Sequence, residues 1–182
     1  MITARVDTAR VVEIREARGD DAMAVAGVHV RSWQAGYQGL VAQQYLDGLD
    51  AEDRAKRFAL DAMDIGGPYT LVAADGDTIC GHVTIGRSRD DDLPDYGEVW
   101  ALYVDPPLWQ TGIGRALLTA ACDRLRLAGR DRAFLWVLST NTRARRFYER
   151  SGWTADGRHR VELIGGTPLD ESRYVTSLGR QP

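Results

Sequence analysis

The stretch VDPPLWQTGIGRALL, from Val104 to Leu118, decides how the chain can fold. An apolar run leads into it, two prolines stop that run because proline cannot donate to a strand ladder, and a helical pattern follows. The first turn of a helix has up to four unpaired N–H groups and a partial positive charge. Gly112 and Gly114 remove side chains that would hold an anion away from those groups. The glycines leave two alternatives open, an anion site over Gln110 to Arg115 or a tight turn with no ligand.

Two common phosphate-binding motifs do not match this stretch. A P-loop requires Lys followed by Ser or Thr after its second glycine, where this chain has Arg115 and Ala116. A dinucleotide-binding fingerprint requires a third small residue where this chain has Leu117, and an acidic residue that the next predicted strand, RAFLWVL (132–138), lacks. Both nucleotide-binding motifs are therefore disfavoured.

Composition limits the class of protein. The chain has 182 residues, 44% hydrophobic and 27% charged, which is typical of one soluble domain of roughly 100–200 residues. A net charge of −3 disfavours nucleic-acid binding, and no apolar run approaches the roughly 18 residues of a membrane helix. Cys80 and Cys122 lack metal-ligand spacing, which predicts no metal and reduced thiols in the cytoplasm. We expect a flexible lead-in over 1–10 and a single domain over 11–182.

Hydrophobic periodicity predicts an α/β (α+β) fold with the order β-α-α-β-β-β-α-β-α-β-β. The Asp-Gly pair at Asp75 predicts a hairpin, and Asn141 is a plausible N-cap of a short helix that ends before Gly152. This order corresponds to a mixed sheet of about seven strands flanked by about four to five helices. The predicted strands are Val11 to Ala17, Tyr69 to Ala74, ICGHVTIG, YGEVWALYV, RAFLWVL, Val161 to Ile164 and Arg173 to Leu178.

Three segments in order resemble the GNAT superfamily of N-acetyltransferases. EVWALYVDPPLWQTGIGRALL is similar to the family's strand followed by Arg/Gln-x-x-Gly-x-Gly/Ala, which opens a helix that holds the pyrophosphate of acetyl-CoA. LWVLSTNTRARRFYERSGW (135–153) resembles the second motif, and RSWQAGYQGLVAQQYLDGL (31–49) resembles the first-helix region of a large bacterial branch. One departure is that Trp109 stands where the family has Arg or Gln, with Gln110 one residue late. Because backbone N–H groups do most of the holding, this departure affects one side-chain contact rather than CoA binding.

The resemblance implies a fold and a reaction. The fold is a GNAT-like, mostly antiparallel sheet in which the strand at Leu102 to Val104 splays from FLWVL. The reaction moves the acetyl group of acetyl-CoA to a primary amine by direct attack in a ternary complex. Neither cysteine sits in a nucleophile motif, which agrees with the absence of an acyl-enzyme. The residues implied for CoA binding are Leu102, Tyr103, Val104, Gln110, Thr111, Gly112, Ile113, Gly114, Arg115, Asn141 and Tyr148.

Two residues are candidates for proton transfer. Tyr148 matches the family tyrosine that donates a proton or hydrogen bond to the departing sulfur, although its helical spacing also fits a packing aromatic. Glu98 opens the central strand and is the candidate base, with an exposed structural carboxylate as the alternative. His82 is a weaker candidate base, and packing is its simpler interpretation.

The acceptor pocket is predicted from aromatic residues. The candidates are Trp33, Tyr37, Trp100 and Trp136, with core packing as the alternative for the first two. The run Asp90 to Asp92 is either a solvated loop or an attractant for a cationic amine. Arg143 or Arg145 either meets the CoA phosphates or lies on a solvated helix face.

The resemblance implies a small-molecule or peptide amine as the acceptor, and antibiotic, polyamine, amino acid and protein N-terminus all remain open. No nucleic-acid or membrane partner is expected, and a homodimer is an open alternative by family analogy. A CoA-binding sensor or interaction module that has lost catalysis is the second functional hypothesis.

Overall fold

The computed structural model describes residues 2–6, 10–58 and 67–179. They form one eight-stranded sheet with the strand order β1-β2-β3-β4-β5-β6-β8-β7. The sequence also predicts a helical region that includes AEDRAKRFALDAM (51–63). The end of that region falls within residues 59–66, which lie outside the described residues. The elements are β1 (Ile2–Val6), β2 (Arg10–Glu16), α1 (Ala22–Gly36), α2 (Gln43–Asp47), α3 (Ala51–Ala55), β3 (Tyr69–Asp75), β4 (Thr78–Arg87), β5 (Gly97–Val104), α4 (Ile113–Leu127), β6 (Arg132–Leu138), α5 (Thr142–Arg150), β7 (Thr154–Ile164) and β8 (Thr167–Ser177).

Every strand pair in this sheet is antiparallel except β5 with β6. That parallel pair is connected through α4, as a parallel connection requires a long crossover. The mixed, mostly antiparallel fold class predicted from the sequence is confirmed.

The parallel strands β5 and β6 stay together for a short distance only. Their register covers Gly97 to Val99 against Ala133 to Leu135, and the remaining residues of the two strands are not paired with each other. The predicted splay of the central strands is therefore present. It leaves one edge of Trp100 to Val104 without a neighbouring strand.

Helices cover both faces of the sheet. On β3, Leu71 and Ala73 pack into the larger core with α4, while Val72 and Ala74 pack on the opposite face with α1 residues. Burial on both faces explains why this strand has a continuous apolar run rather than an alternating one.

The sheet is larger than the sequence indicates. β1 lies within the segment 1–10, expected to be a flexible lead-in, and pairs antiparallel with β2. β7 and β8 begin well before the predicted positions Val161 and Arg173. Most of β7 is exposed, so its residues carry no apolar alternation that could mark a strand. The division into one domain over 11–182 stays a prediction.

Gly81 fixes the spacing between β4 and β5. A Cβ there would lie 2.9 Å from the Tyr103 carbonyl oxygen and 3.1 Å from Leu117 Cδ1. We expect Gly81→Ala to lower the free energy of unfolding by about 1–3 kcal/mol, because the strands and α4 must shift to accept the methyl group. Urea unfolding monitored by circular dichroism measures this.

Gly27→Ala in α1 is the matched control for that substitution. Its Cβ would meet only the tip of the flexible Arg31 side chain, at 3.1 Å. Alanine favours a helix over glycine by up to about 1 kcal/mol, so this variant should be neutral or stabilised. Equal losses of stability in both variants would contradict the proposed role of Gly81.

Candidate active site

The backbone between β5 and α4 presents a row of unpaired donors. A 3-10 turn over Pro106 to Leu108 ends β5, and α4 begins at Ile113. Gln110 and Gly112 have positive φ angles of 66° and 94°. The first backbone hydrogen bond inside the new helix is donated by Ala116 to the Gly112 carbonyl at 3.0 Å. The six N–H groups of 110–115 therefore donate to no carbonyl of the described chain, which is the arrangement an anion site requires.

The two glycines of this turn have different explanations. Gly112 is required by its left-handed backbone conformation. Gly114 is not, since a Cβ there would meet Phe147 and Val104 at 3.6 Å, which is ordinary van der Waals contact. The backbone conformation thus explains Gly112, whereas no described contact requires a glycine at position 114.

Trp109 has a role of its own at the end of β5. Its indole Nε1 donates to the Val104 carbonyl at 2.7 Å, and Ser32 Oγ of α1 donates to the same oxygen at 2.8 Å. The Arg143 guanidinium stacks over the Trp109 ring, 3.5 Å from its centroid. Burial lowers the pKa of Arg143, which has no carboxylate partner among the described residues. A cation therefore lies beside the turn although position 109 does not supply it.

Tyr148 of α5 and Asn141, the residue that caps this helix, are both buried. Asn141 Oδ1 accepts the Ala144 backbone N–H at 3.1 Å, which confirms the predicted N-cap. Tyr148 packs against Phe147 and Trp153, with ring centroids 5.2 and 6.1 Å away. Burial, followed by the nearby Tyr103 hydroxyl, raises the pKa of Tyr148, so its phenol keeps its proton at neutral pH. Packing and proton donation are compatible roles for this residue.

Glu98 is buried and satisfied. It is 1% exposed, and its carboxylate accepts Arg89 Nη2 at 2.6 Å and the Arg89 backbone N–H at 2.9 Å. This placement contradicts the alternative of an exposed structural carboxylate. The Arg89 guanidinium also lies over the Trp100 ring, 4.6 Å from its centroid. A β-bulge between β4 and β5 falls at Trp100 and breaks the simple alternation along the strand.

The four aromatic residues predicted to wall an acceptor pocket do not form one group. Trp33 and Tyr37 stack at 4.6 Å, and Trp33 lies 6.4 Å from the Tyr103 ring. Trp100 instead contacts Arg89. Trp136 donates from Nε1 to Asp90 Oδ2 at 3.0 Å.

The acidic loop after β4 is tied down rather than solvated throughout. Arg173 is 5% exposed and pairs with Asp90 at 3.3 Å and with Asp92 at 2.9 Å. Arg145 likewise donates to the Ser139 carbonyl at 2.9 Å. These contacts hold the acidic loop and Arg145 to the rest of the fold.

A buried polar cluster that the sequence does not predict joins α1, β4 and β5. His29 of α1 and His82 of β4 stack with ring centroids 5.9 Å apart, and Tyr103 lies 4.5 Å from His29. Several ring nitrogens here, and Arg54 Nε, are buried with no hydrogen-bond partner. Burial lowers the pKa of His29 to about 2 and of His82 to about 3, so both are neutral at pH 7. No motif marks such a cluster, because its members come from three separate elements.

The described residues contain no group of three or more His, Cys, Asp or Glu side chains that could hold a metal ion. None of the described helices is long and apolar enough to cross a membrane.

A splayed parallel strand pair whose two strands are joined by an N–H-lined turn and a helix is typical of one class of acyltransferases. The chain belongs to the acetyltransferase (GNAT) family, whose model matches residues 31–153. That range includes the turn, both splayed strands and α5.

Individual relatives agree with this assignment. The chain is 30% identical to the N-acetyltransferase YuaI of Bacillus subtilis (strain 168) over 135 residues, which are 72% of this chain and 74% of YuaI. It is 38% identical over 135 residues to a mycothiol acetyltransferase of Propionibacterium freudenreichii subsp. shermanii. The match spans 73% of this chain but only 40% of that relative.

Solved structures share the fold at low sequence identity. The PaiA N-acetyltransferase of Thermoplasma acidophilum in complex with coenzyme A has a TM-score of 0.70 and 21% identity, covering 91% of this chain and 98% of that one. The acetyltransferase yncA of Salmonella typhimurium with acetyl-CoA has the same TM-score and identity, covering 94% and 96%.

The buried histidines should make stability depend on pH. Their folded pKa values lie below the unfolded value of about 6.5, so below that pH the unfolded chain takes up protons that the folded chain does not. The free energy of unfolding should therefore fall by about 2 kcal/mol per imidazole between pH 7 and pH 5. We expect His82→Leu to remove one such contribution, measured by urea unfolding at both pH values.

His159→Leu is the control for this prediction, because the His159 side chain is 55% exposed. It should leave the pH 7 to pH 5 difference close to the parent's. The explanation fails if His82→Leu and the parent lose the same stability between the two pH values.

Proposed function

We propose that the protein transfers the acetyl group of acetyl-CoA to a primary amine by direct attack within a ternary complex. The observation that carries this proposal is the row of unpaired N–H groups over 110–115 beside a splayed β5. These groups would hold the CoA pyrophosphate, and the cation of Arg143 beside Trp109 would add to the attraction. The CoA complexes of the structural neighbours support the same ligand.

The edge of β5 offers a donor for the oxyanion of the reaction. Asp105 N–H donates back to the Cys80 carbonyl on β4 at 2.9 Å. Because N–H direction alternates along a strand, the Val104 N–H faces the opposite side, toward the gap left by β6. A preorganised donor of this kind supplies typically about 2.7–4 kcal/mol. The bound cosubstrate supplies a thioester, and Leu102 to Val104 would position it.

Direct attack is favoured over an acyl-enzyme by the state of the cysteines. Cys80 is buried within the core. Burial raises the pKa of Cys122 to about 11, which disfavours the thiolate that a nucleophile requires. The acceptor amine itself is therefore the proposed nucleophile.

Tyr148 is the proposed proton donor to the departing thiolate. Its raised pKa keeps the phenol protonated, which suits a donor and excludes a role as a base near neutral pH. Glu98 is the proposed base, acting through water because Arg89 occupies its carboxylate oxygens. Action in the cytoplasm and a homodimeric state belong to the proposal as well.

Thermal shift with acetyl-CoA, followed by thiol release over a panel of amines, tests the activity. Stabilisation by acetyl-CoA together with amine-dependent thiol release supports the enzyme. Stabilisation without thiol release from any amine would instead favour a CoA-binding module that has lost catalysis.

Tyr148→Phe should lower kcat by about 10²-fold, the lower range for loss of a general acid, because the thiolate leaves without a donor. The ring packing is retained, so acetyl-CoA affinity should stay within twofold of the parent's. Steady-state kinetics and calorimetric titration measure the two quantities. Phe147→Leu, which changes the neighbouring ring, is the packing control. An unchanged kcat in Tyr148→Phe rules out proton donation.

Glu98→Gln should lower activity most at low pH, where deprotonating the amine is hardest. The pH profile of kcat/KM for the parent and the variant measures this. Profiles of the same shape, displaced by a constant factor, would assign Glu98 to holding Arg89 rather than to proton removal.

A further inference from the structure

A small pocket lies beside the bulge of β5, on the sheet face opposite α4. Its volume is about 260 Å³, and Thr84 of β4 lines it together with Trp100 and Ala101 of the bulge. Trp100 and Ala101 directly precede Leu102 to Val104, where the thioester is proposed to lie. The pocket is therefore next to the segment at which acetyl transfer is proposed to occur.

The lining of this pocket is cationic. Arg54, Arg57 and Arg89 all contribute to it, and the described lining residues include no aspartate or glutamate. The nearby Glu16 is outside the lining. It accepts a hydrogen bond from the Tyr69 hydroxyl and forms an ion pair with Arg124 at 3.8 Å.

Two of the three positive charges have no carboxylate counterion among the described residues. Glu98 neutralises Arg89 at 2.6 Å. Arg54 and Arg57 form no ion pair with a carboxylate of the described chain. Arg54 lies in α3, and Arg57 lies two residues after its end. The two positions are three apart in the sequence, so both side chains can reach one ligand.

Arg54 is the better buried of these two cations. Its Nε atom is buried without a hydrogen-bond partner, and its guanidinium stacks over Phe58 at 5.4 Å. Burial lowers the pKa of Arg54, because water no longer fully solvates its charge. A buried cation of this kind is stabilised by an anion that enters the pocket.

We infer that this pocket binds an anionic group of the acceptor, so that the acceptor is a small amine that also carries a carboxylate or a phosphate. The inference rests on the proposed acetyl transfer and names its substrate class. Guanidinium groups match both oxyanions through paired N–H donors. A volume below the roughly 300–1,000 Å³ of drug-sized ligand sites favours an acceptor of amino-acid size.

A series of amines with similar shape and decreasing charge tests the inference. Glutamate, glutamine and glutamine amide carry two, one and no carboxylates, and phosphoserine supplies the phosphate. We expect kcat/KM to fall at least about tenfold from glutamate or phosphoserine to glutamine amide, and the preference to weaken in high salt. Spermidine, a cation, should be the poorest acceptor.

Arg57→Gln isolates the role of the pocket. It should raise KM for the preferred anionic amine by about tenfold while changing kcat little, because it removes one charged hydrogen bond to the ligand. Lys56→Gln is the matched control, since Lys56 is the adjacent residue, is paired with Asp53 and does not line the pocket. The control should stay within about twofold of the parent in KM.

Calorimetric titration with glutarate and with inorganic phosphate measures anion binding without catalysis. Binding of either anion by the parent and its loss in Arg57→Gln support the inference. The inference is overturned if neither anion binds, or if Arg57→Gln and Lys56→Gln bind it equally well. If neutral or cationic amines still cause thiol release in that case, the proposed acetyltransferase activity stands and only the anionic acceptor is rejected.

Discussion

The early separation of β5 from β6 is the constraint on which the rest of the site depends. Two parallel strands that pair over only three residues leave backbone donors and acceptors that water, a ligand or a side chain must satisfy. The protein satisfies the Val104 carbonyl itself, with Trp109 and Ser32, and thereby fixes where the strand ends. The turn that follows and the start of α4 are placed by this anchored end.

Much of this arrangement was predictable because it is local. Gly112, the two prolines and the helical stripe of α4 lie within one continuous stretch, and Asn141 caps α5 as its position indicates. The parallel pair could be expected from a strand-helix-strand pattern. The family resemblance added the splay, which no periodicity encodes.

The features that escaped prediction depend on contacts between distant residues. The His29 and His82 stack joins α1 to β4, and the ion pairs of Arg173 join β8 to the loop after β4. A charge run such as Asp90 to Asp92 looks solvated in the sequence, since its partner is more than 80 positions away. The long exposed β7 was underestimated because strand pairing, rather than an apolar face, holds it.

The stacking of Arg143 on Trp109 links two positions that are far apart in the sequence. An arginine at position 109, as in the family pattern, would remove the ring on which Arg143 stacks and add a second positive charge that repels the first. Gly36 is part of the same unit, because a Cβ there would lie 2.7 Å from Arg143 Nη2. Positions 36, 109 and 143 should therefore vary together among related sequences. Trp109→Arg alone should destabilise the protein more than the same substitution combined with changes at positions 36 and 143.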